Sequence, residues 1–294
     1  LLAAGIKRLY LSNQVITEAK LARVAVVAAA CEAFAIAVDS AIGVARLAQA
    51  LHQAGVAAQR VEVFVEIDVG QGRCGVADPH QALQLARQII AAGLRLGGLQ
   101  AYQGKAQHLR SPAERAAAIA IATERARAAR DALLAAGLPC PLVTGAGSGS
   151  FVHEAASGVY GELQCGSYVF MDRDYADNEM EPDAPRFEHA LFVKSQVISR
   201  GAAHAVIDAG HKSHAIDSGL PRVWGAGWRV ENGGDEHAIL RGDDLPAIGD
   251  TVWLIPGHCD PTVNLHEQLI AVRGGLQQGV VEAVWTVDAR GCVQ

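Results

Sequence analysis

A regular alternation of strand-like and helix-like segments, kept up to about residue 170, constrains this chain more than any other feature. Residues 6–11 (I-K-R-L-Y-L) read as a short strand and 17–30 as a helix with Thr17 as its N-cap. Residues 34–38 form a buried strand, 41–54 an alanine- and leucine-rich helix, and 61–69 (V-E-V-F-V-E-I-D-V) a strong strand. A helix over 79–92, a strand over 94–101, a long helix over 111–136 opened by Ser111-Pro112 and Glu114, and strands at 142–144 and 161–168 complete the series. Strands separated by helices run parallel, as in a doubly wound sheet or a TIM barrel. Polar residues and glycines gather at strand C-termini, around Asn13 and at 68–70, 102–104 and 145–149, the side where both folds carry their sites. This chemistry is spread along the whole unit, so the expectation is a (β/α)8 barrel, of which six strands are read.

After Asp172 the texture changes. Residues 175–187 are acidic and proline-bearing, and short strands follow at 190–199, 203–208, 222–230, 236–240, 251–255 and 280–287. Two domains are therefore expected, a β/α barrel over 1–187 and an all-β domain over 188–294. Apolar residues make up 50% of the 294, ample for a large core, and the formal charge of -6 gives no electrostatic case for a nucleic-acid partner. Six separated cysteines without a C-x-x-C read as reduced thiols, which implies a cytoplasmic protein. No apolar run reaches eighteen residues without a polar break, so no membrane span is expected. Residues 1–5, L-L-A-A-G, read as the end of a helix closed by a glycine, as though the chain began within a domain.

Several constellations carry chemistry. In T-G-A-G-S-G-S at 144–150, backbone N–H groups past a strand end can cradle phosphate, with Ser148 and Ser150 adding hydroxyls. The spacing is not the dinucleotide signature, so a different phosphate-bearing cofactor is expected, against an ordinary flexible loop. Arg73 lies among glycines beyond a strand end, in reach of an oxyanion, and Glu66 and Asp68 share a strand face that calls for a counter-charge. A structural salt-bridge network is the plain alternative. Tyr102 ends a strand where it can stack on or bond to a ring, Gln164 is a weaker candidate for a cofactor bond, and His108 reads as a surface residue. In I-P-G-H-C-D-P-T-V-N-L at 255–265, an extended backbone turns His258 and Asp260 to one side and Cys259 to the other, so that imidazole and carboxylate can hold one metal ion. Pro256-Gly257 and Pro261 fix that backbone, and Asn264 and His266 are available to orient the ligands. Two protein ligands leave positions open for water or substrate, as at catalytic metal sites.

Taken in order, L-S-N-Q-V at 11–15, E-I-D-V-G-x-G-R-C-G-V at 66–76, G-L-Q-A-Y-x-G at 98–104, T-G-A-G-S-G-S at 144–150 and P-G-H-C-D-P-T-V-N-L at 256–265 resemble a known family. It is the D-threonine aldolase and D-serine dehydratase group of fold-type III pyridoxal-phosphate enzymes, relatives of the alanine racemases. The resemblance covers nearly the whole chain. It implies a barrel that carries pyridoxal 5'-phosphate and a β domain that completes the site. Gly145, Gly147, Ser148 and Gly149 would hold the phosphate, with Thr144 and Gln164 among the cofactor-binding residues. Arg73 would lie near the phenolic oxygen and act in catalysis, and Tyr102 near the ring nitrogen. His258 and Asp260 would act through a divalent ion (Mn2+, Zn2+ or Mg2+). Aldolases of this group look like His-x-Asp and dehydratases like His-x-Cys, so Asp260 points to an aldolase that cleaves D-threonine or a related D-3-hydroxy amino acid to glycine and an aldehyde. A D-serine dehydratase, a 3-hydroxy-D-aspartate aldolase and a non-catalytic cofactor-binding fragment are the alternatives. The resemblance also implies a homodimer.

One departure stands out. The family's cofactor-anchoring lysine lies upstream of L-S-N-Q-V, and Lys7, Lys20, Lys105 and Lys194 do not match it. Together with the strand count, this leads to the expectation of a missing N-terminal stretch of about eighty residues, two strands and the lysine, at the usual size of a barrel unit. Weak or no activity is then expected of these residues alone.

Overall fold

The computed structural model describes residues 1–292, which divide into two compact units, Leu1–Cys165 and Gly166 onward. In the first unit the strands are β1 (Arg8–Leu11), β2 (Ala33–Val38), β3 (Val61–Glu66), β4 (Arg95–Ala101), β5 (Leu142–Gly145) and β6 (Glu162–Leu163). The helices between them are α1 (Glu18–Ala30), α2 (Ala41–Gln53), α3 (Pro79–Ala91), α4 (Pro112–Ala135) and α5 (Phe151–Ala156). Every strand pairs in parallel with its predecessor, in the order β1-β2-β3-β4-β5-β6. A doubly wound sheet reverses its order at a switch point. This sheet never does, so the expected alternative is settled for the curled sheet of a (β/α) barrel, six strands of it.

Burial follows from that topology. Strands β2, β3 and β4 are covered on both faces and read as near-continuous apolar runs, with Ile36, Val63, Val65 and Leu99 in the core against Leu47, Ile89 and Leu133 from the helices. Gly98 sits at φ +133, and a Cβ there would overlap the Leu142 carbonyl oxygen, so only glycine lets β4 and β5 approach this closely.

The expected caps are displaced. Thr17 and Ser111 precede α1 and α4 without a side-chain cap bond, whereas Ser40 accepts from the Gly43 N–H and Asp78, followed by Pro79, from the Gln81 N–H. The strand expected over 61–69 ends at Glu66; Ile67 makes a single bridge to Val76, and the loop between those two residues leaves the sheet. The strand expected over 161–168 shrinks to Glu162–Leu163, because the chain turns at Gly166 into a short 3-10 turn over Ser167–Val169.

The second unit holds an antiparallel sheet in the order β10-β11-β8-β7-β12-β9 and a separate hairpin. Its strands are β7 (Val193–Arg200), β8 (Ala205–Ile207), β9 (Arg222–Val223), β10 (Arg229–Asn232), β11 (Ala238–Arg241), β12 (Thr251–Ile255), β13 (Gln268–Arg273) and β14 (Val280–Thr286). The helices α6 (Arg173–Ala176) and α7 (Cys259–Leu265) complete it. Strand β7 alternates buried and exposed residues, and Val193, Val197, Ile207, Leu240, Val252 and Leu254 form the core. The single strand expected over 222–230 is two, parted at Gly225 and Gly227, and β13 is an additional strand paired with β14. Residues 166–187 pack within this unit: the Arg173 N–H donates to the Pro256 carbonyl and the Ala190 N–H to the Phe170 carbonyl. Among the described residues no helix is long and apolar enough to cross a membrane.

Candidate active site

In a parallel sheet, residues in register point to the same face. Glu66, Gln100, Thr144 and Glu162 are in register across β3 to β6 and form one polar layer at the carboxyl ends of the strands. The Gln164 Nε2 donates to the Gln100 Oε1 at 2.6 Å and to the Thr144 Oγ1 at 2.9 Å, and the Thr144 hydroxyl donates to the Glu162 Oε1 at 2.7 Å. Tyr10 on β1 donates to the Gln100 Oε1 at 2.7 Å, and Gln14 donates to the Glu66 carboxylate. Thr144 and Gln164, expected at the cofactor, are thus joined by Gln100 and Gln14, which lie within the motifs at 98–104 and 11–15 but had no role assigned to them, and by Tyr10, which no motif contains. Burial pushes the Tyr10 phenol well above its ordinary range, and the Glu66 and Glu162 charges add to this. Burial also raises the Glu66 carboxyl, against the pull of the Gln14 bond and of the Arg73 charge.

Arg73 and Tyr102 meet directly, the guanidinium 5.8 Å from the ring centroid. Asp68 does not share their surroundings. It has left the strand, and its Oδ1 accepts from the Gly70 and Gly72 N–H groups at 2.9 Å each, so it braces the loop that carries Arg73. Burial is the largest single influence and pulls its carboxyl up, but the Gly72 and Gly70 bonds and the Arg125 charge together outweigh it and hold the carboxyl below the usual range.

The loop 144–150 is buried throughout. Ala146 takes φ 69, and a Cβ on Gly147 would stand 2.5 Å from the Gln107 Oε1. Gln107, fully buried, accepts from the Gly149 N–H at 2.9 Å, so that donor is engaged within the protein. Among the described residues nothing accepts from the Ala146 or Gly147 N–H. Leaving a buried donor unpaired costs about 1–3 kcal/mol. Two adjacent ones suit a phosphate oxyanion, and the loop fits that group.

In the second unit the H-C-D-P segment departs from the extended geometry expected of it. His258 is extended (φ -145, ψ 122), but α7 starts at Cys259, which is buried, and Asp260 lies exposed in the first helical turn. The i, i+2 alternation that would turn both side chains one way is therefore absent. Pro261 explains the difference: proline suits the first turn of a helix, where its missing N–H has no partner to lose. The Thr262 hydroxyl donates to the His258 carbonyl at 2.7 Å and closes the turn. Asp172, fully buried, accepts from the Cys259 N–H at 2.8 Å and from the Tyr175 N–H at 3.0 Å, pinning α7 and α6 with one carboxylate. Burial first, then the neighbouring Asp172 and Asp260 charges, push the Cys259 thiol up to about 12.

The His258 Nδ1 lies 2.6 Å from the Asp217 Oδ2, while its Nε2 makes no hydrogen bond among the described residues. With the proton on Nδ1, Nε2 presents its lone pair, as a carboxylate-oriented ligand histidine does. Nothing in the sequence singled out Asp217, 41 residues away. Asn264 and His266 serve elsewhere: the Asn264 Oδ1 accepts from the Gly291 N–H, and the His266 Nε2 bonds to the Ser213 carbonyl. No group of three His, Cys, Asp or Glu placed to hold a metal occurs among the described residues. His258 and Asp260 would offer one nitrogen and one oxygen donor, a set that suits Zn2+ or Mn2+ with further positions filled by water or substrate.

A curled parallel sheet with a polar layer and glycine loop at its carboxyl edge, followed in sequence by an antiparallel β unit, defines an alanine racemase-like protein. Residues 4–174 match the family described as "Alanine racemase, N-terminal domain", and residues 190–272 the "Putative serine dehydratase domain". The chain belongs to the D-threonine aldolase and D-serine dehydratase family of alanine racemase-like proteins. It is 43% identical to a D-threonine aldolase of Arthrobacter sp over 98% of this chain and 76% of that protein. It is 40% identical to a 3-hydroxy-D-aspartate aldolase of Paracoccus denitrificans (strain Pd 1222) over 98% and 74%. The crystal structure of D-threonine aldolase from Filomicrobium marinum superposes with a TM-score of 0.94 at 42% identity, covering 99% of this chain and 78% of that one. The family and fold expected from the sequence motifs are borne out.

Proposed function

We propose that this protein is a lyase, a pyridoxal-phosphate- and divalent-metal-dependent aldolase that cleaves D-threonine or a related D-3-hydroxy amino acid to glycine and an aldehyde. The observation that carries the reading is 40–43% identity to two aldolases over nearly the whole chain. A D-threo-3-hydroxyaspartate dehydratase of Delftia sp. (strain HT23) is 33% identical over only 66% of this chain. Asp260, where the family's dehydratases look like cysteine, supports the same choice.

The residues divide the work. Ala146 and Gly147 would donate their N–H groups to the phosphate, in a loop with Gly145, Ser148 and Gly149. The Thr144–Gln164–Gln100 network fixes the polar floor, and Arg73 against Tyr102 supplies a cation held over an aromatic face. His258, oriented by Asp217, and Asp260 would hold the ion. When bound, the cofactor supplies an electron sink for breaking Cα–Cβ, and the ion a Lewis acid for the β-hydroxyl. The six free cysteines accord with a reducing compartment, the cytoplasm, and we take a homodimer as the working assembly.

Three substrates offered separately, each with and without chelator, test the reading. Acetaldehyde from D-threonine that disappears with chelator is the expected result. Glyoxylate from 3-hydroxy-D-aspartate would reassign the substrate, and pyruvate from D-serine would overturn the aldolase reading.

A further inference from the structure

Beneath the glycine loop lies a chain of buried hydrogen bonds to which the proposed chemistry gives no task. The Gln107 Nε2 donates to the Ser150 Oγ at 2.6 Å, and the Ser150 hydroxyl donates to the Glu154 Oε1 at 2.8 Å. Gln107 and Ser150 are wholly buried and Glu154 is 1% exposed. The Glu154 Oε2 has no partner among the described residues. A buried carboxylate with one oxygen unbonded is costly, and it is joined through Ser150 and Gln107 to the Gly149 N–H of the glycine loop.

We propose that Glu154 is a positioning residue that decides which way the Ser150 hydroxyl points, and through it how firmly the loop holds a phosphate dianion. This rests on the phosphate role of the loop proposed above. The hydroxyl has a single proton. While Glu154 is ionised, that proton is committed to its Oε1, and a negative charge stays buried two hydrogen bonds from Gln107, which accepts from the loop's Gly149 N–H. When Glu154 takes up a proton from solvent, it can donate to the Ser150 Oγ instead. The Ser150 hydroxyl is then free to donate toward the loop, and the like charge is gone. Anion binding and proton uptake are thereby coupled, one proton per site.

The surroundings are consistent with a group poised between its two forms. Burial raises the Glu154 carboxyl to about 7, opposed by the Ser150 bond and by its own backbone N–H. Its charge in turn raises the Tyr160 phenol and the Cys165 thiol, both pushed up chiefly by burial. Along its own helix stands His153. From α4, packed on α5, come Glu124 and Arg127, which line a cleft with His153, and Arg115, whose Nη1 donates to the Leu109 and Arg110 carbonyls.

The test uses full-length protein and pyridoxamine 5'-phosphate, which has no aldehyde to react with surface lysines. Its fluorescence titration is compared with that of pyridoxamine, which lacks the phosphate, at pH 6, 7 and 8, for wild type, Glu154→Gln and Ser150→Ala. Glutamine is neutral at every pH and can donate to Ser150, so it imitates the protonated form. The ratio of wild-type to Glu154→Gln Kd cancels the titration of the ligand's own phosphate. That ratio is expected to rise about tenfold from pH 6 to 8, as for one group titrating near 7. Ser150→Ala is expected to bind more weakly at pH 6 and to keep only the smaller pH dependence that the Glu154 charge exerts by itself; an undiminished dependence would overturn the role of the hydroxyl. If wild type and Glu154→Gln track each other while both prefer the phosphorylated ligand, the inference is overturned and the phosphate reading stands. If no protein prefers the phosphorylated ligand, the phosphate reading itself fails.

Discussion

Asp172→Ala should unfasten the segment that carries His258 and Asp260. The carboxylate is fully buried and accepts from two backbone N–H groups at once, those of Cys259 and Tyr175. The Tyr175 bond is a helix cap, worth about 1 kcal/mol, and its donor lies on a half-exposed helix start where water can replace the carboxylate. The Cys259 N–H is buried and would be left unpaired. Losing a bond to a charged acceptor and stranding its donor costs about 2–3 kcal/mol. The total is about 3–4 kcal/mol, a large share of the stability of a domain this size. Asp172→Asn keeps one acceptor oxygen but turns an amide toward the other donor, so about 2 kcal/mol is expected. All four tryptophans (224, 228, 253 and 285) lie in the second unit, so tryptophan fluorescence in urea reads that unit alone. A loss below about 1 kcal/mol for Asp172→Ala would refute the reasoning, and so would equal losses for Ala and Asn.

Three further outcomes are expected. Glu154 is raised by burial to about 7 from 4.5, so the folded state binds its proton more tightly than the unfolded chain; its contribution is full below pH 4.5 and is lost as pH rises through 7, about 3 kcal/mol in all. Glu154→Gln should therefore be more stable than wild type at pH 8 and not at pH 4, in urea titrations followed by circular dichroism; the same difference at both pH values would refute this. Asp217→Asn removes the carboxylate that holds the His258 Nδ1 proton and should weaken Mn2+ or Zn2+ binding about tenfold by calorimetry, with unfolding unchanged; unaltered affinity would remove Asp217 from the site. Gly98→Ala would drive a methyl group into the Leu142 carbonyl at a φ of +133 and should cost about 3 kcal/mol or more, seen as loss of soluble protein; a soluble, equally stable variant would show that β4 and β5 can part there.

The sequence by itself determined the element order and the family. Periodicity located the six strands of the first unit and every helix except α5, which is too short to show a period, because a strand buried on both faces must be apolar throughout and an outer helix apolar on one side. Those local rules do not reach strand order. Only the pairing of each strand with its predecessor separated a barrel sheet from a doubly wound one. Register likewise assembled the polar layer of Glu66, Gln100, Thr144 and Glu162, whose members are up to 96 residues apart and share no motif. The motifs did mark the glycine loop, Arg73 and Tyr102, since glycine and charge past a strand end are conspicuous. Asp217, Asp172, Gln107 and Glu154 were invisible: each acts through a side-chain bond to a distant residue or from full burial, and neither condition leaves a trace in neighbouring letters. At His258-Cys259-Asp260 the sequence held the decisive sign in Pro261, but the choice between an extended segment and a helical turn was made by tertiary structure. A buried Asp172 carboxylate, 87 residues upstream, accepts the Cys259 N–H at the helix start, a donor that no local partner would otherwise satisfy.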